Sequence, residues 1–202
     1  MKKNKTVLIV ALVLVLLLGG AYALYQQLSP EYATGQLATQ PQATDPESGG
    51  EDGGNAGTEA SVVPDFLVYD LDGSEVRLSD FRGKPVVLNF WASWCGPCQM
   101  EMPDFDAKFR ELGDEVQFLM VNATGGRETV ESASSFIAEK GFSFPVYYDT
   151  DGTAFGTYGA YSGYGLPATF FIDANGYGIA SARGVITGDQ LQQGIDMIYP
   201  VK

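Results

Sequence analysis

Residues 91–101 read WASWCGPCQME and hold both cysteines of the chain, Cys95 and Cys98, with Gly96 and Pro97 between them. The preceding run, residues 86–91, is almost continuously apolar, as expected of a strand covered on both faces. Its one polar interruption is Asn89. The following run, to residue 112, sets Met102, Phe105, Phe109 and Leu112 along one stripe of a helix. Pro97 falls in that helix's first turn, where its missing N–H costs nothing. Pro103, further in, is expected to kink it. A cysteine pair where a buried strand meets a helix N-terminus is a redox site by its physics. The unpaired N–H groups and the helix dipole favour the thiolate, which is the nucleophile.

At such sites the thiol pKa can fall from about 8.5 to about 7. Cys95, at or just before the N-cap, is the expected attacking residue. Cys98, one turn inward, is placed to attack a mixed disulfide held on Cys95. Two inert core thiols and half a zinc site are the competing readings. Zinc would need further soft or imidazole ligands, and the chain has no third cysteine and no histidine. No metal and no cofactor beyond the cysteine pair is therefore expected.

Glu101 lies three residues past Cys98 and on its side of the helix. A partly buried carboxylate there would have a raised pKa and could exchange a proton with Cys98. Simple compensation of the helix dipole is the alternative. Asn89 either holds a water or backbone group near the pair or marks a local turn. Trp94 is expected to offer a client chain an apolar platform, and Trp91 to belong to the core.

The chain has 202 residues, 25 acidic against 12 basic, and a net charge of −13. Acidity argues against nucleic acid and anionic membrane surfaces as direct partners of the soluble part. The absence of histidine removes histidine-based triads and general bases. Lys2, Lys3 and Lys5 precede an uncharged apolar run over residues 7–24. This predicts a cytoplasmic stub over 1–6 and a transmembrane anchor over 7–25. A signal peptide cleaved near Ala21-Tyr22-Ala23 is the competing reading. With no cysteine directly after the run, lipid attachment is not expected. Residues 26–61 carry six acids and no base among Gly, Pro, Ser, Thr and Gln, and read as a flexible acidic linker. Either way the remainder, 62–202, faces an oxidising compartment.

Within 62–202 the pattern predicts an opening strand over 62–69 and a short one over 75–78. A helical turn capped by Ser79 and ended by Gly83 follows. After the cysteine helix come a strand over 116–121 and a helix over 128–140 that buries Val130, Ser134 and Ile137 and ends at Gly141. Next are a strand over 144–148 and a short helix around 154–158. Strands over 168–173 and 178–184 are joined by an Asn175-Gly176 hairpin. Thr187 and Gln190 form a capping box for a last helix with Leu191, Ile195 and Ile198 inside. The first strand pair is parallel and the hairpin makes the sheet mixed.

Trp94-Cys95-Gly96-Pro97-Cys98 with Asn89-Phe90-Trp91, Glu101-Met102-Pro103 and Leu166-Pro167-Ala168-Thr169-Phe170-Phe171-Ile172-Asp173 resembles the membrane-anchored extracytoplasmic TlpA/ResA-like thiol-disulfide oxidoreductases. The resemblance covers roughly residues 62–201. It implies an α/β thioredoxin-like fold: a central mixed sheet flanked by helices, with an N-terminal strand extension and a helix–strand insertion over 127–148. It further implies a cis-proline at Pro167 opposite the cysteines and a buried acid at Glu101. Strand-like hydrogen bonds to client would come from Leu166, so that Trp94, Gly96, Pro97, Leu166 and Pro167 form the client-binding set. Asn89 stands where cytoplasmic thioredoxins carry an aspartate, so that proton-transfer role does not transfer.

The expected function is thiol–disulfide exchange outside the membrane, as a reductant. Its partners would be exported clients with disulfides, among them apocytochrome c, and a membrane electron-donor protein that regenerates the pair. Net oxidation of secreted proteins is one alternative, since direction depends on reduction potential. A non-catalytic peptide-binding module and a thiol peroxidase of related fold are others.

Overall fold

The apolar run before the cysteines is the strand Val86–Trp91, and every one of its residues is buried. The structure is a computed structural model and describes residues 37–39, 62–163 and 165–200. Its strands in chain order are β1 (Ala38–Thr39), β2 (Leu67–Tyr69), β3 (Glu75–Arg77), β4 (Val86–Trp91), β5 (Gln117–Asn122), β6 (Val146–Tyr148), β7 (Ala168–Ile172) and β8 (Gly178–Arg183). The helices are α1 (Gly96–Leu112), α2 (Val130–Lys140), α3 (Thr153–Ser162) and α4 (Gly188–Ile198). The strands form one mixed sheet in the order β1-β8-β7-β4-β5-β6-β2-β3. β4 runs parallel to β5 and antiparallel to β7. This is an α/β thioredoxin-like fold.

Alternation along β4 explains why its sequence is apolar throughout. Val87 and Trp91 join Met102, Phe105 and Ile195 in one core. Val86, Leu88 and Phe90 join Phe66, Leu119 and Tyr158 in the other. Asn89 falls on the first face, between Val87 and Trp91. A strand with a core on each side has no face left for polar side chains.

Several local expectations change. The opening strand is short: β2 covers Leu67–Tyr69, while Val62 makes an isolated bridge to Tyr177. Ser79 does not cap the following 3-10 turn. Its N–H and hydroxyl donate to Asp65, and Asp80 receives the Arg77 N–H. The second helix begins after Thr129, which exchanges cap bonds with Ser132. Ala133, rather than Ser134, is its buried residue. Within the stretch read as a flexible linker, Ala38–Thr39 pair with Ala180 and Ser181 of β8, so that reading does not hold for these residues. α1 continues past Pro103 as one helix; the proline lacks the N–H that would reach the Gln99 carbonyl. Among the described residues no helix is long and apolar enough to cross a membrane. The apolar run read as an anchor lies outside them.

Candidate active site

Cys95 is the N-cap of α1, with φ −83° and ψ 101°, and its Sγ accepts the Cys98 N–H at 3.2 Å. A sulfur in that position does the work of a capping oxygen on a free helix N–H. Gly96 and Pro97 are the first helical residues, where proline is tolerated. The two sulfurs are joined as a disulfide, with Cα atoms 5.2 Å apart. Cys98 is fully buried and Cys95 nearly so. Trp94 beside them is 47% exposed.

Beneath the pair lies a small polar layer inside the core. Glu101 is 1% exposed. Asn89 Nδ2 donates to its Oε1 at 2.8 Å, and the Ile186 N–H donates to its Oε2 at 3.1 Å. Asn89 also donates to Thr169 Oγ1 at 3.0 Å. Asn89 and Thr169 are directly paired across β4 and β7, which puts both side chains on one face. Burial pushes the Glu101 pKa up to about 8, and the two donated hydrogen bonds hold it from rising further. Glu101 is thus a buried acid tied to the sheet and to the loop before α4. Surface compensation of a helix dipole does not describe it.

A second buried acid holds the turn that carries the cysteines. Glu128 Oε1 accepts the Ser93 N–H at 2.9 Å and Asn122 Nδ2 at 2.8 Å, while Oε2 accepts the Ser93 hydroxyl at 2.8 Å. Next to this anchor, the Arg127 guanidinium carbon sits 3.9 Å from the centroid of the Trp94 ring. The turn 93–94 is therefore strapped to residues 127–128. Sequence reading missed both contacts, because Glu128 looked like the first residue of a helix. The Gly125-Gly126 pair, both at positive φ, was the available signal that the chain turns there first.

Trp94, Cys95, Gly96 and Pro97 line a cleft of about 520 Å³ together with Ala123, Arg127, Phe155 and Leu166. The Leu166–Pro167 peptide is cis. Pro167 is buried, does not line the cleft, and accepts the Gly184 N–H on its carbonyl. The β4–β7 ladder starts only at Ala168, so Leu166 stands beyond the paired backbone. Trp91 is buried in the core, as expected. Among the described residues no group of His, Cys, Asp or Glu could hold a metal ion.

The profile of the AhpC/TSA family matches residues 60–177. The thiol-disulfide oxidoreductase ResA of Bacillus thuringiensis subsp. konkukian is 37% identical over 141 residues, covering 68% of this chain and 77% of that protein. ResA of Bacillus anthracis is 33% identical over 205 residues, covering 99% of this chain and all of its own. Among solved structures, the exposed lipoprotein thioredoxin Etrx1 of Streptococcus pneumoniae is 35% identical, with a TM-score of 0.55, covering 66% of this chain and 98% of its own. The chain belongs to the ResA-like thiol-disulfide oxidoreductases of the AhpC/TSA family, with Cys95–Cys98 as its active-site disulfide.

Proposed function

We propose that the chain works as an extracytoplasmic reductant of protein disulfides. The observation that carries this reading is the Cys95–Cys98 disulfide on the wall of an open cleft, with a buried acid one turn further along α1. In the reduced state the Cys95 thiolate attacks one client sulfur, and the other client sulfur leaves as a thiolate that takes up a proton. Cys98 then loses its proton, attacks Cys95 and releases the second client thiol. Two electrons pass to the client and the Cys95–Cys98 bond reforms. Glu101, whose pKa near 8 leaves a fraction of it ionised at neutral pH, takes the Cys98 proton in that ionised form and returns it on re-reduction.

Trp94, Gly96, Pro97 and Leu166 bind the client strand along the cleft, with Pro167 fixing the Leu166 backbone. Apocytochrome c is one client class in keeping with the family. A membrane dithiol donor regenerates the pair. Residues 1–6 remain cytoplasmic, 7–25 anchor the chain, 26–61 largely serve as a spacer, and the domain over 62–202 acts on the outer side.

A Cys98→Ser variant is expected to accumulate mixed disulfides through Cys95, and the captured proteins identify the clients. The reductant reading also requires a low potential. A value near about −270 mV supports it, while one near about −120 mV would make the protein an oxidant.

A further inference from the structure

The cleft beside the disulfide has an unusual charge for this protein. Its lining contains one cation, Arg127, and no carboxylate, although the chain carries 25 acids and a net charge of −13. Most other basic residues among the described ones have polar partners, Lys140 over the Phe136 ring excepted. Arg77, Lys108 and Arg110 face carboxylates. Arg82 and Lys84 donate to main-chain carbonyls. Arg127 has only the Trp94 ring among the described residues.

Its backbone is held in place. Gly125 and Glu128 exchange both main-chain hydrogen bonds, at 2.9 and 3.0 Å, closing a tight turn with Arg127 just inside it. Glu128 is anchored on Ser93 and Asn122. A guanidinium stacked on an indole keeps its charge and loses less freedom when it binds a planar anion. A held cation with no carboxylate partner among the described residues, in the wall of a cleft that Cys95 also lines, is complementary to one kind of ligand.

We propose that Arg127, resting on Trp94, selects client chains that carry an Asp or Glu side chain next to the cystine being exchanged. This rests on the thiol–disulfide function above and specifies its substrate class. The stacked pair supplies an apolar surface for the client backbone and a charge for its carboxylate. The protein's overall negative field repels acidic chains, so the local cation also decides where such a chain can approach.

The test uses the reduced full chain and two synthetic peptides, each closed by one disulfide and differing only in Glu or Lys before the first cysteine. The exchange rate is measured for each peptide with the wild-type chain, R127Q and R127K. Taking the Glu-to-Lys rate ratio and comparing chains cancels the background field. The ratio is expected to fall roughly three- to five-fold in R127Q, the size of one partly exposed ion pair. R127K is expected to keep a ratio above that of R127Q, and about 1 M salt is expected to narrow the gap in ratio between the wild-type chain and R127Q. Uniform slowing of both peptides with an unchanged ratio would overturn the proposal and make Arg127 a support for the Cys95 thiolate. Failure of the wild-type chain to exchange with either peptide would instead overturn the thiol–disulfide function, and this proposal with it.

Discussion

Asn89 Nδ2 lies 2.8 Å from Glu101 Oε1, joining the central strand to the cysteine helix through a buried amide–carboxylate contact. The donor stabilises the ionised carboxylate against the desolvation that raises its pKa. Replacing Asn89 by Leu removes the donor while filling much of the space. The Glu101 pKa is then expected to climb above its present value near 8. Carboxyl-carbon NMR across pH 6–10 (about this range brackets the transition) measures it, and an unmoved midpoint would mean the contact carries no charge stabilisation.

Glu101 also makes stability depend on pH. Its folded pKa, near 8, lies above that of an unfolded Glu, so the folded state holds the extra proton between the two values. Stability from this group is full below the unfolded pKa and declines as pH rises to about 8, by up to about 1.4 kcal/mol per pH unit. Above that the two states carry the same charge and the slope vanishes. Glu101→Gln is expected to flatten the profile between about pH 5 and 8. Urea unfolding of the disulfide form at several pH values checks this; identical slopes for the two proteins would show that the carboxyl ionises freely in the fold.

Three donors converge on the Glu128 carboxylate. Glu128→Ala leaves the buried Asn122 amide and the half-buried Ser93 donors without their acceptor, at a cost of about 2–4 kcal/mol. Denaturation of the oxidised protein measures the loss. A change under about 0.5 kcal/mol, the range of an ordinary surface substitution, would mean the strap adds nothing to the fold.

Gly194 is where α4 meets the sheet. A Cβ there would lie 2.2–2.5 Å from three ring carbons of Phe171, whose side chain is completely buried. Alanine favours a helix by about 1 kcal/mol over glycine, yet overpacking of this kind costs about 1–3 kcal/mol. Gly194→Ala is therefore expected to melt at a lower temperature than the parent. A gain in melting temperature would show that the ring has room to move.

Much of this architecture was legible because it is written locally. The apolar run over 86–91 has the bounds of β4, since a strand buried on both faces is apolar at nearly every step. The turn at Asn175-Gly176 and the Thr187–Gln190 box specify their own backbone conformations. What escaped depends on residues distant in sequence. β1 lies in a low-complexity stretch, and its pairing with Ser181 and Ala180 is set by an available sheet edge. At the site, Cys95, Cys98 and Glu101 share one helix and one spacing. Glu128 reaches Ser93 across 35 positions, and neither periodicity nor a motif announces that bond. Arg127 is equally silent, being a charged residue in a glycine turn until Trp94 is folded against it.

The surroundings of Glu101 have a consequence for how its proton is accommodated. Both its oxygens face N–H groups, and neither N–H can receive a hydrogen. The Ile186 amide belongs to the main chain and cannot turn round, but the side chain of Asn89 can rotate to offer its oxygen instead. Thr169, which accepts from that same nitrogen, has a hydroxyl able to give as readily as to receive. Protonating the carboxyl thus reverses both hydrogen bonds at that end of the amide, one of which ends on β7, two residues beyond Pro167. Loading and unloading the acid under the cysteines is felt as a change of polarity on the strand behind the client-facing loop.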